Sequence, residues 1–124
     1  MDDRQGGLAA WQWRLYPDGH RDRRNLAVHV ATVPIFQAGT LALVLAPLWS
    51  LWLAPVGLAA MAGAMAAQGR GHRLEATPPV PFRGAGDVLA RILTEQWFTF
   101  PRYVFSGGLG RAWRATGVGD GRRA

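Results

Sequence analysis

The three histidines of the chain, His20, His29 and His72, are the side chains best suited to carry chemistry. Imidazole nitrogen is a ligand for Fe(II), Zn(II) and other divalent metals. His29 lies inside an apolar stretch, where a polar group costs free energy unless it has a partner, so it is a functional candidate by default. If the three histidines converge with a carboxylate from Glu75 or Glu95, they would form a nitrogen and oxygen site for a divalent metal.

The spacing around these histidines leaves a structural interpretation open. Asn25 lies four residues before His29 on the same helix face, so the two side chains could simply hydrogen-bond. His72 and Glu75 lie three residues apart and share a face if the helix continues through them. Alternatively, this is an ordinary helix end, where basic residues complement the helix dipole and Glu75 pairs with an arginine.

The stretch that must position the histidines is residues 26–69, which are mostly apolar and contain no charged side chain. A membrane-spanning helix needs roughly 20 apolar residues, so the stretch has room for two arms joined near residues 46–50. A chain of 124 residues could hardly bury this much apolar surface in a soluble fold. The sequence therefore predicts an all-α membrane hairpin, in preference to a buried hairpin of a soluble protein.

Charge gives an orientation for this hairpin. All 14 basic residues are arginine, the net charge is +6, and arginines crowd both ends of the apolar stretch. This distribution argues against a nucleic-acid partner, since no basic face is formed. The positive-inside rule places both termini in the cytoplasm. Small residues at Ala59, Gly63 and Ala67 favour close helix packing and are compatible with a homo-oligomer.

Shorter helices are predicted on both sides of the hairpin. Residues 8–16 have the apolar spacing of an amphipathic helix at a membrane interface, and Asn25 is predicted to cap the first arm. We expect residues 1–115 to form a single membrane-embedded helical domain. Residues 116–124 are rich in glycine and arginine and are predicted to be a disordered tail.

A proline-rich connector follows the second arm at residues 76–82. Successive prolines hold such a segment extended. Asp87 then begins a predicted helix that runs to residue 98, either interfacial or packed against the hairpin. Within it, Arg91 and Glu95 are four residues apart and are predicted to form an ion pair.

Several short motifs in this sequence resemble one known family, and the residues that carry the likeness are Tyr16, His20, Asn25, His29, Pro34, Gly71, His72 and Glu75. The family consists of small multi-pass membrane proteins typified by the fungal endoplasmic-reticulum 2-hydroxy fatty acid dioxygenase, and it includes short bacterial members. The resemblance covers residues 16–108. It implies an Fe(II)-dependent α-oxidation, in which a 2-hydroxy fatty acid loses its carboxyl carbon.

The resemblance also implies a metal-binding set. It makes His20, His29 and His72 the ligands of Fe(II), and it makes Glu75 a further ligand or a carboxylate that orients a histidine. The implied partners are the membrane and a lipid or fatty acid substrate, and the implied location is the bacterial inner membrane. The residues alone predict less, namely a membrane hairpin with a polar site at its cytoplasmic mouth.

Further roles follow from the same resemblance. Two residues would have catalytic roles: Asn25 would hold His29 in the required tautomer, and Glu95 would close the site from the third helix. Arg70 or Arg73 would bind the substrate carboxylate. Two other functions stay open. One is a non-catalytic membrane protein that binds anionic lipid or a partner through its arginine-rich cytoplasmic face, and the other is a zinc-dependent lipid hydrolase.

Overall fold

A computed structural model describes residues 4–120, and every regular element within this range is helical. The α-helices, in chain order, are α1 (Leu8–Leu15), α2 (Arg23–Leu45), α3 (Leu53–His72), α4 (Ala85–Thr94), α5 (Phe100–Phe105) and α6 (Gly108–Asp120). A 3₁₀ turn, Tyr16–Gly19, follows α1, and a π-helix, Glu95–Thr99, joins α4 to α5. The prediction of an all-α fold is confirmed at this level.

The two long helices, α2 and α3, pack against each other in antiparallel directions. Gly39 of α2 faces Gly57 of α3 so closely that a Cβ on Gly39 would lie 2.7 Å from the Gly57 carbonyl oxygen. Any larger residue would push the backbones apart, so the two glycines permit this crossing. The same pairing brings the start of α2 beside the end of α3, which is where the histidines lie.

The face of α3 that packs inside the protein differs from the predicted small-residue stripe. The buried residues of α3 are Gly57, Ala64, Gln68 and Gly71. Gly63, at the centre of the predicted stripe, is exposed, and a Cβ added there would meet nothing within 4 Å. The homo-oligomer predicted from that stripe stays a prediction.

Within residues 4–120, α2 alone is long and apolar enough to cross a membrane. It contains an 18-residue stretch of mean hydropathy 1.7, of which 22% is buried. The core helix of a soluble protein or a signal sequence meets the same criterion. Helix α3 does not, because alanine and glycine dominate it and Gln68, Arg70 and His72 lie near its end. The two-arm membrane hairpin therefore stays a prediction.

Large apolar side chains nevertheless cover the turn between the two long helices. Leu48, Trp49, Leu51 and Trp52 are each at least 76% exposed. Contiguous apolar exposure of this kind marks a surface that contacts a membrane or another protein. These side chains lie at the end of the helix pair that is opposite the histidines.

A buried cluster joins the C-terminal helices to the N-terminal part of α2, and its members are Tyr16, Leu26, Val33, Phe100 and Tyr103. Burying a large apolar side chain contributes on the order of 1.5–3 kcal/mol. This cluster fixes α5, which directly follows the π-helix, beside the histidines. Glu95 thereby reaches the cytoplasmic end predicted for the helix pair.

Two helix ends differ from the sequence predictions. Asp22, and not Asn25, caps α2, because its side chain accepts a hydrogen bond from the backbone N–H of Arg24 at 2.8 Å while its own backbone is extended. At the other end of the chain, α6 continues to Asp120, so residues 116–120 are helical where a disordered tail is predicted. Residues 121–124 of that tail lie outside the described residues.

Candidate metal centre

Four side chains converge at one point, and they are His20, His29, His72 and Glu95. One potential ligand atom from each lies within 4.8 Å of all the others. Nε2 of His20 is 3.3 Å from Nε2 of His29. Oε1 of Glu95 is 3.6 Å from the first of these atoms and 3.4 Å from the second. The structure thus brings together all three histidines of the sequence with one of its two candidate carboxylates.

Each of these residues is positioned by a different part of the fold. His20 follows the 3₁₀ turn, His29 lies in the second turn of α2, His72 is the last residue of α3, and Glu95 opens the π-helix. His20 and His29 are buried, with relative exposures of 4% and 0%. Burying polar side chains costs free energy unless they find partners, so the convergence calls for a compensating interaction.

Hydrogen bonds to backbone carbonyls fix the tautomers of two histidines. Nδ1 of His20 lies 2.8 Å from the Tyr16 carbonyl oxygen, and Nδ1 of His29 lies 3.0 Å from the Asn25 carbonyl oxygen. A carbonyl oxygen only accepts hydrogen bonds, so Nδ1 carries the hydrogen in both rings. Each Nε2 therefore carries a lone pair that faces the other converging side chains, which is the arrangement typical of metal-bound histidine.

Tyr16, the residue that follows α1, contacts two of the four converging side chains. Its ring stacks on the His20 ring with centroids 3.7 Å apart, and its hydroxyl donates a hydrogen bond to Oε1 of Glu95 at 3.2 Å. Burial raises the pKa of Glu95, but the neighbouring His20 and His29 outweigh burial and bring the pKa below its ordinary value. Burial, followed by the charge of Glu95, raises the pKa of Tyr16. The site therefore holds a carboxylate beside a protonated phenol.

His72 lies just beyond the apolar stretch of residues 26–69. Its Nδ1 is buried and has no hydrogen-bond partner among the described residues. Burial, and then the neighbouring His20 and His29, lower the pKa of His72 to about 4. At neutral pH the ring is uncharged, so it offers a lone pair for coordination.

The distances between these atoms suit a common ion. Two atoms that each lie roughly 2.1 Å from one metal are about 3.0–3.6 Å apart when the angle between the bonds is about 90–120°. The separations among His20, His29 and Glu95 are 3.3, 3.4 and 3.6 Å. A cation between them would also relieve the contact between two lone pairs. Three imidazoles and a carboxylate therefore fit a divalent metal, and both Fe(II) and Zn(II) accept such ligands.

Glu75, predicted as a ligand or an orienting carboxylate, lies outside this group. Helix α3 ends at His72, so Glu75 follows on a turn instead of sharing its face. The Glu75 carboxylate accepts hydrogen bonds from the backbone N–H groups of Arg21 and Asp22, at 3.0 and 2.9 Å, and from Nδ2 of Asn25 at 2.8 Å. Glu75 thereby ties the end of α3 to the loop that carries His20.

Asn25 is held tightly between that loop and α3. Its Nδ2 also lies 3.3 Å from the Gly19 carbonyl oxygen, and its side chain is fully buried. A Cβ on Gly71 would overlap Oδ1 of Asn25, so only glycine fits there. Asn25 bonds His29 through its backbone carbonyl, whereas the resemblance gave no indication of which atom would hold the tautomer.

The π-helix that presents Glu95 is held by glutamine side chains that the sequence analysis missed. Gln12 of α1 donates to the Arg91 carbonyl oxygen at 3.0 Å and accepts a hydrogen bond from the Thr99 hydroxyl. Gln37 of α2 donates to the Gln96 carbonyl oxygen at 2.8 Å. π-helical turns are rare and often occur at functional sites. Glutamines within otherwise apolar helices are the signal that could have revealed this network.

A second part of the network joins α3 to the π-helix directly. The amides of Gln68 and Gln96 exchange two hydrogen bonds, at 3.0 and 2.7 Å. Gln68 also donates to the hydroxyl of Thr32 at 3.0 Å. Each of these side chains has hydrogen-bond partners, and a buried network whose hydrogen bonds are all made fixes the position of each member.

A cavity of about 400 Å³ borders three members of the group, His20, His72 and Glu95. Its apolar walls include Trp11, Leu15, Met65, Val80, Phe82 and Ile92. The proline-rich connector lines one side through residues 77–80 and 82. The volume lies within the range of small-molecule sites, and a mostly apolar wall with a few polar groups is typical of them.

The predicted substrate arginines do not reach this cavity. Arg70 and Arg73 are exposed and do not line it, whereas Arg91 does. The predicted ion pair between Arg91 and Glu95 is also absent from the described contacts. Arg91 instead lies 3.7 Å from Asp87, because Glu95 turns toward the histidines.

The fold and site together define an all-helical protein with a three-histidine, one-glutamate group that could hold a metal ion. The chain matches no protein-family model, no curated protein and no solved structure. The resemblance to the 2-hydroxy fatty acid dioxygenase family therefore stays a prediction, and so do the ligand, catalytic and substrate-binding roles taken from it.

Proposed function

We propose that this chain is a membrane-bound, Fe(II)-dependent dioxygenase that acts on a lipid, with α-oxidation of a 2-hydroxy fatty acid as its reaction. The observation that carries the proposal is the convergence of His20, His29, His72 and Glu95 beside an apolar cavity. The resemblance found in the sequence supplies the choice of iron over zinc, because the ligand types suit both metals.

Each residue of the group has a definite part in the proposed site. The three imidazoles and the Glu95 carboxylate would hold the iron. Tyr16 donates its hydroxyl hydrogen to Oε1 of Glu95, which restrains that carboxylate in one orientation. Bound Fe(II) would supply the activation of dioxygen that oxidation of the lipid requires. The apolar walls keep bulk water away from the site.

A lipid is the substrate class that best suits the cavity and the outer surface. The cavity is lined mainly by apolar side chains and the proline-rich connector. The exposed leucines and tryptophans of residues 48–52 offer a surface for the bilayer. A membrane-bound enzyme meets lipid at high local concentration, so an apolar cavity at the interface is well placed to receive it.

Metal content is the direct test. The protein is purified in detergent without oxygen, and its iron and zinc are compared with those of His29→Ala. We expect near-stoichiometric iron in the wild type and loss of iron in the variant, with unchanged far-UV circular dichroism. His29 is completely buried, so His72→Ala, at the edge of the group, serves as a second variant if the first fails to fold.

Product formation then separates the competing functions. Iron-loaded protein is incubated with a 2-hydroxy fatty acid, with and without oxygen, and the products are identified by mass spectrometry. An oxygen-dependent acid one carbon shorter supports the proposal. Copurified zinc with oxygen-independent lipid cleavage would indicate the hydrolase, and absence of metal after reconstitution with Fe(II) would indicate the non-catalytic lipid-binding protein.

A further inference from the structure

Arg91 is a cationic side chain that lines the cavity beside the candidate metal centre. It lies four residues before Glu95, so both side chains leave the same face of the helix one turn apart. The Arg91 side chain is 11% exposed. A buried guanidinium needs an anion or a full set of acceptors, because taking its charge out of water is costly.

The protein neutralises Arg91 only in part. Its nearest carboxylate within residues 4–120 is that of Asp87, at 3.7 Å. Asp87, however, accepts two shorter hydrogen bonds from Arg4, at 2.5 and 3.0 Å. The Asp87 carboxylate therefore contacts two guanidinium groups, and its contacts with Arg4 are the shorter ones.

The remaining contacts of Arg91 orient the guanidinium without neutralising it. Its central carbon lies 4.3 Å from the centre of the Phe82 ring and 5.1 Å from the centre of the Trp11 ring. One nitrogen donates to the Pro81 carbonyl oxygen at 3.1 Å, while Nε is buried and has no hydrogen-bond partner in the part of the chain that the structure describes. Aromatic contacts of this kind hold the group in place and leave a donor for a ligand.

We propose that Arg91 binds the anionic end group of an amphiphile whose apolar chain occupies the cavity. A carboxylate and a phosphate monoester share the required chemistry, since both accept hydrogen bonds from a planar guanidinium. Phe82, Val80 and Ile92 would contact the chain. The inference rests on the proposed function in taking this cavity as the substrate site, and it assigns the end-group contact to Arg91 instead of Arg70 or Arg73.

Three ligands with one chain length test this assignment: dodecanoate, dodecyl phosphate and dodecanol. Each competes with a diazirine-labelled fatty acid for photo-crosslinking to the full-length protein in zwitterionic nanodiscs. A hydrogen bond to a charged group corresponds to a preference of roughly 10- to 100-fold. We expect wild-type protein to favour at least one anion over the alcohol by that factor, and the tighter of the two anions identifies the end group.

Variants locate the preference. Arg91→Gln is expected to bind the anions about as weakly as the alcohol, while its affinity for the alcohol changes little. Arg70→Gln removes an exposed arginine outside the cavity and should behave like the wild type. If Arg91→Gln fails to fold, Arg91→Lys replaces it; lysine keeps the charge but loses the planar fork, so part of the preference should remain.

Equal binding of the anions and the alcohol by wild-type protein would overturn the inference, as would an unchanged preference in both Arg91 variants. Metal content is measured on the same samples. Bound metal without an anion preference would remove the role of Arg91 and leave the proposed function standing. If the protein binds no metal but shows an anion preference that Arg91→Gln loses, the result would support the role of Arg91 in anion binding and would contradict the proposed dioxygenase function.

Discussion

Oε1 of Glu95 lies 3.4 Å from Nε2 of His29, although the two residues belong to different helices. Glu95 is the first residue of the π-helix, and hydrogen bonds from Gln12 and Gln37 hold the backbone on either side of it. Glu95 thereby points at the histidines while Arg91 stays in the cavity wall. The carboxylate of the candidate metal centre is thus set by backbone geometry and not by closeness in sequence to a histidine.

Glutamine replacements should distinguish the two candidate carboxylates. Glu95→Gln removes the carboxylate of the converging group, so we expect metal affinity to fall by at least about 100-fold, more than is typical for residues outside the ligand shell. Glu75→Gln should change metal affinity less. It should instead lower the free energy of unfolding by about 1–3 kcal/mol, since Glu75 accepts hydrogen bonds from Arg21, Asp22 and Asn25.

Titration with Co(II), followed by its visible absorption, measures the affinities of both variants, and denaturant unfolding measures stability. Both variants replace a glutamate with glutamine, at different positions, so each variant is the control for the other. A larger loss of metal affinity in Glu75→Gln than in Glu95→Gln would show that the site uses the other carboxylate.

Asn25 and Gly71 should be energetically coupled. A Cβ on Gly71 would overlap Oδ1 of Asn25, so Gly71→Ala should destabilise the protein by about 1–3 kcal/mol, as overpacking does. In an Asn25→Ala background the overlap disappears, and the same replacement should cost less. A double-mutant cycle on unfolding free energies gives the coupling, expected to be at least about 0.5 kcal/mol. Strictly additive effects would mean that the two residues are not in contact.

Much of the arrangement could be predicted from composition and spacing. The uncharged stretch of residues 26–69 predicts the two long helices, because few other structures accommodate so many consecutive apolar residues. A histidine near the start of the first helix and a histidine at the end of the second lie close together when the two helices run antiparallel. The convergence of His20, His29 and His72 could therefore be predicted from the sequence.

The remaining site depends on tertiary structure. Glu75 is close to His72 in sequence, yet α3 ends at His72 and turns Glu75 toward backbone N–H groups. No local pattern marks the π-helix at Glu95–Thr99, which needs hydrogen bonds from Gln12 and Gln37 on other helices. Contacts between residues far apart in sequence set these positions, so spacing along the chain could not show which of the two carboxylates lies with the histidines.

Gln12 should influence the metal centre without touching it. It bonds the Arg91 carbonyl oxygen and the Thr99 hydroxyl, on either side of the turn that presents Glu95. Gln12→Leu should therefore weaken Co(II) binding by roughly 10- to 100-fold, a range typical of supporting residues, and shift the visible spectrum of bound Co(II). Gln5→Leu, at an exposed position, is the control. An unchanged spectrum in Gln12→Leu would indicate that Glu95 keeps its position unaided.

Removal of metal should lower thermal stability. A ligand that binds only the folded state stabilises it by about 2.7 kcal/mol at one hundred times its dissociation constant. We therefore expect a chelator to lower the melting temperature of the wild type, and restored Fe(II) to raise it again. Glu95→Gln should show a much smaller shift. Equal shifts in both proteins would place the bound metal elsewhere.

The Arg4 and Asp87 pair should give stability that depends on pH. Hydrogen bonds from Arg4, and then from the backbone N–H of Arg83, lower the pKa of Asp87 below its ordinary value of 3.8. A carboxylate whose pKa is lower when folded stabilises the protein above its unfolded pKa, and this contribution is lost as pH falls toward the folded pKa. Asp87→Asn should therefore be less stable than wild type at neutral pH, and the difference should shrink below about pH 4. Denaturant unfolding across this range measures it, and a difference independent of pH would contradict the assigned ion pair.

Membrane topology can be tested with single cysteines, because the chain has no cysteine of its own. Arg24→Cys marks the start of α2, Ser50→Cys marks the turn, and Arg73→Cys follows the end of α3. If both long helices span the bilayer, a membrane-impermeant maleimide should label Ser50→Cys from the outside of intact cells. The other two should react only after lysis. Labelling of Arg73→Cys from outside, with Arg24→Cys protected, would mean that α2 spans alone. The cytoplasmic site would then be lost, because His72 and His20 would face opposite sides of the membrane.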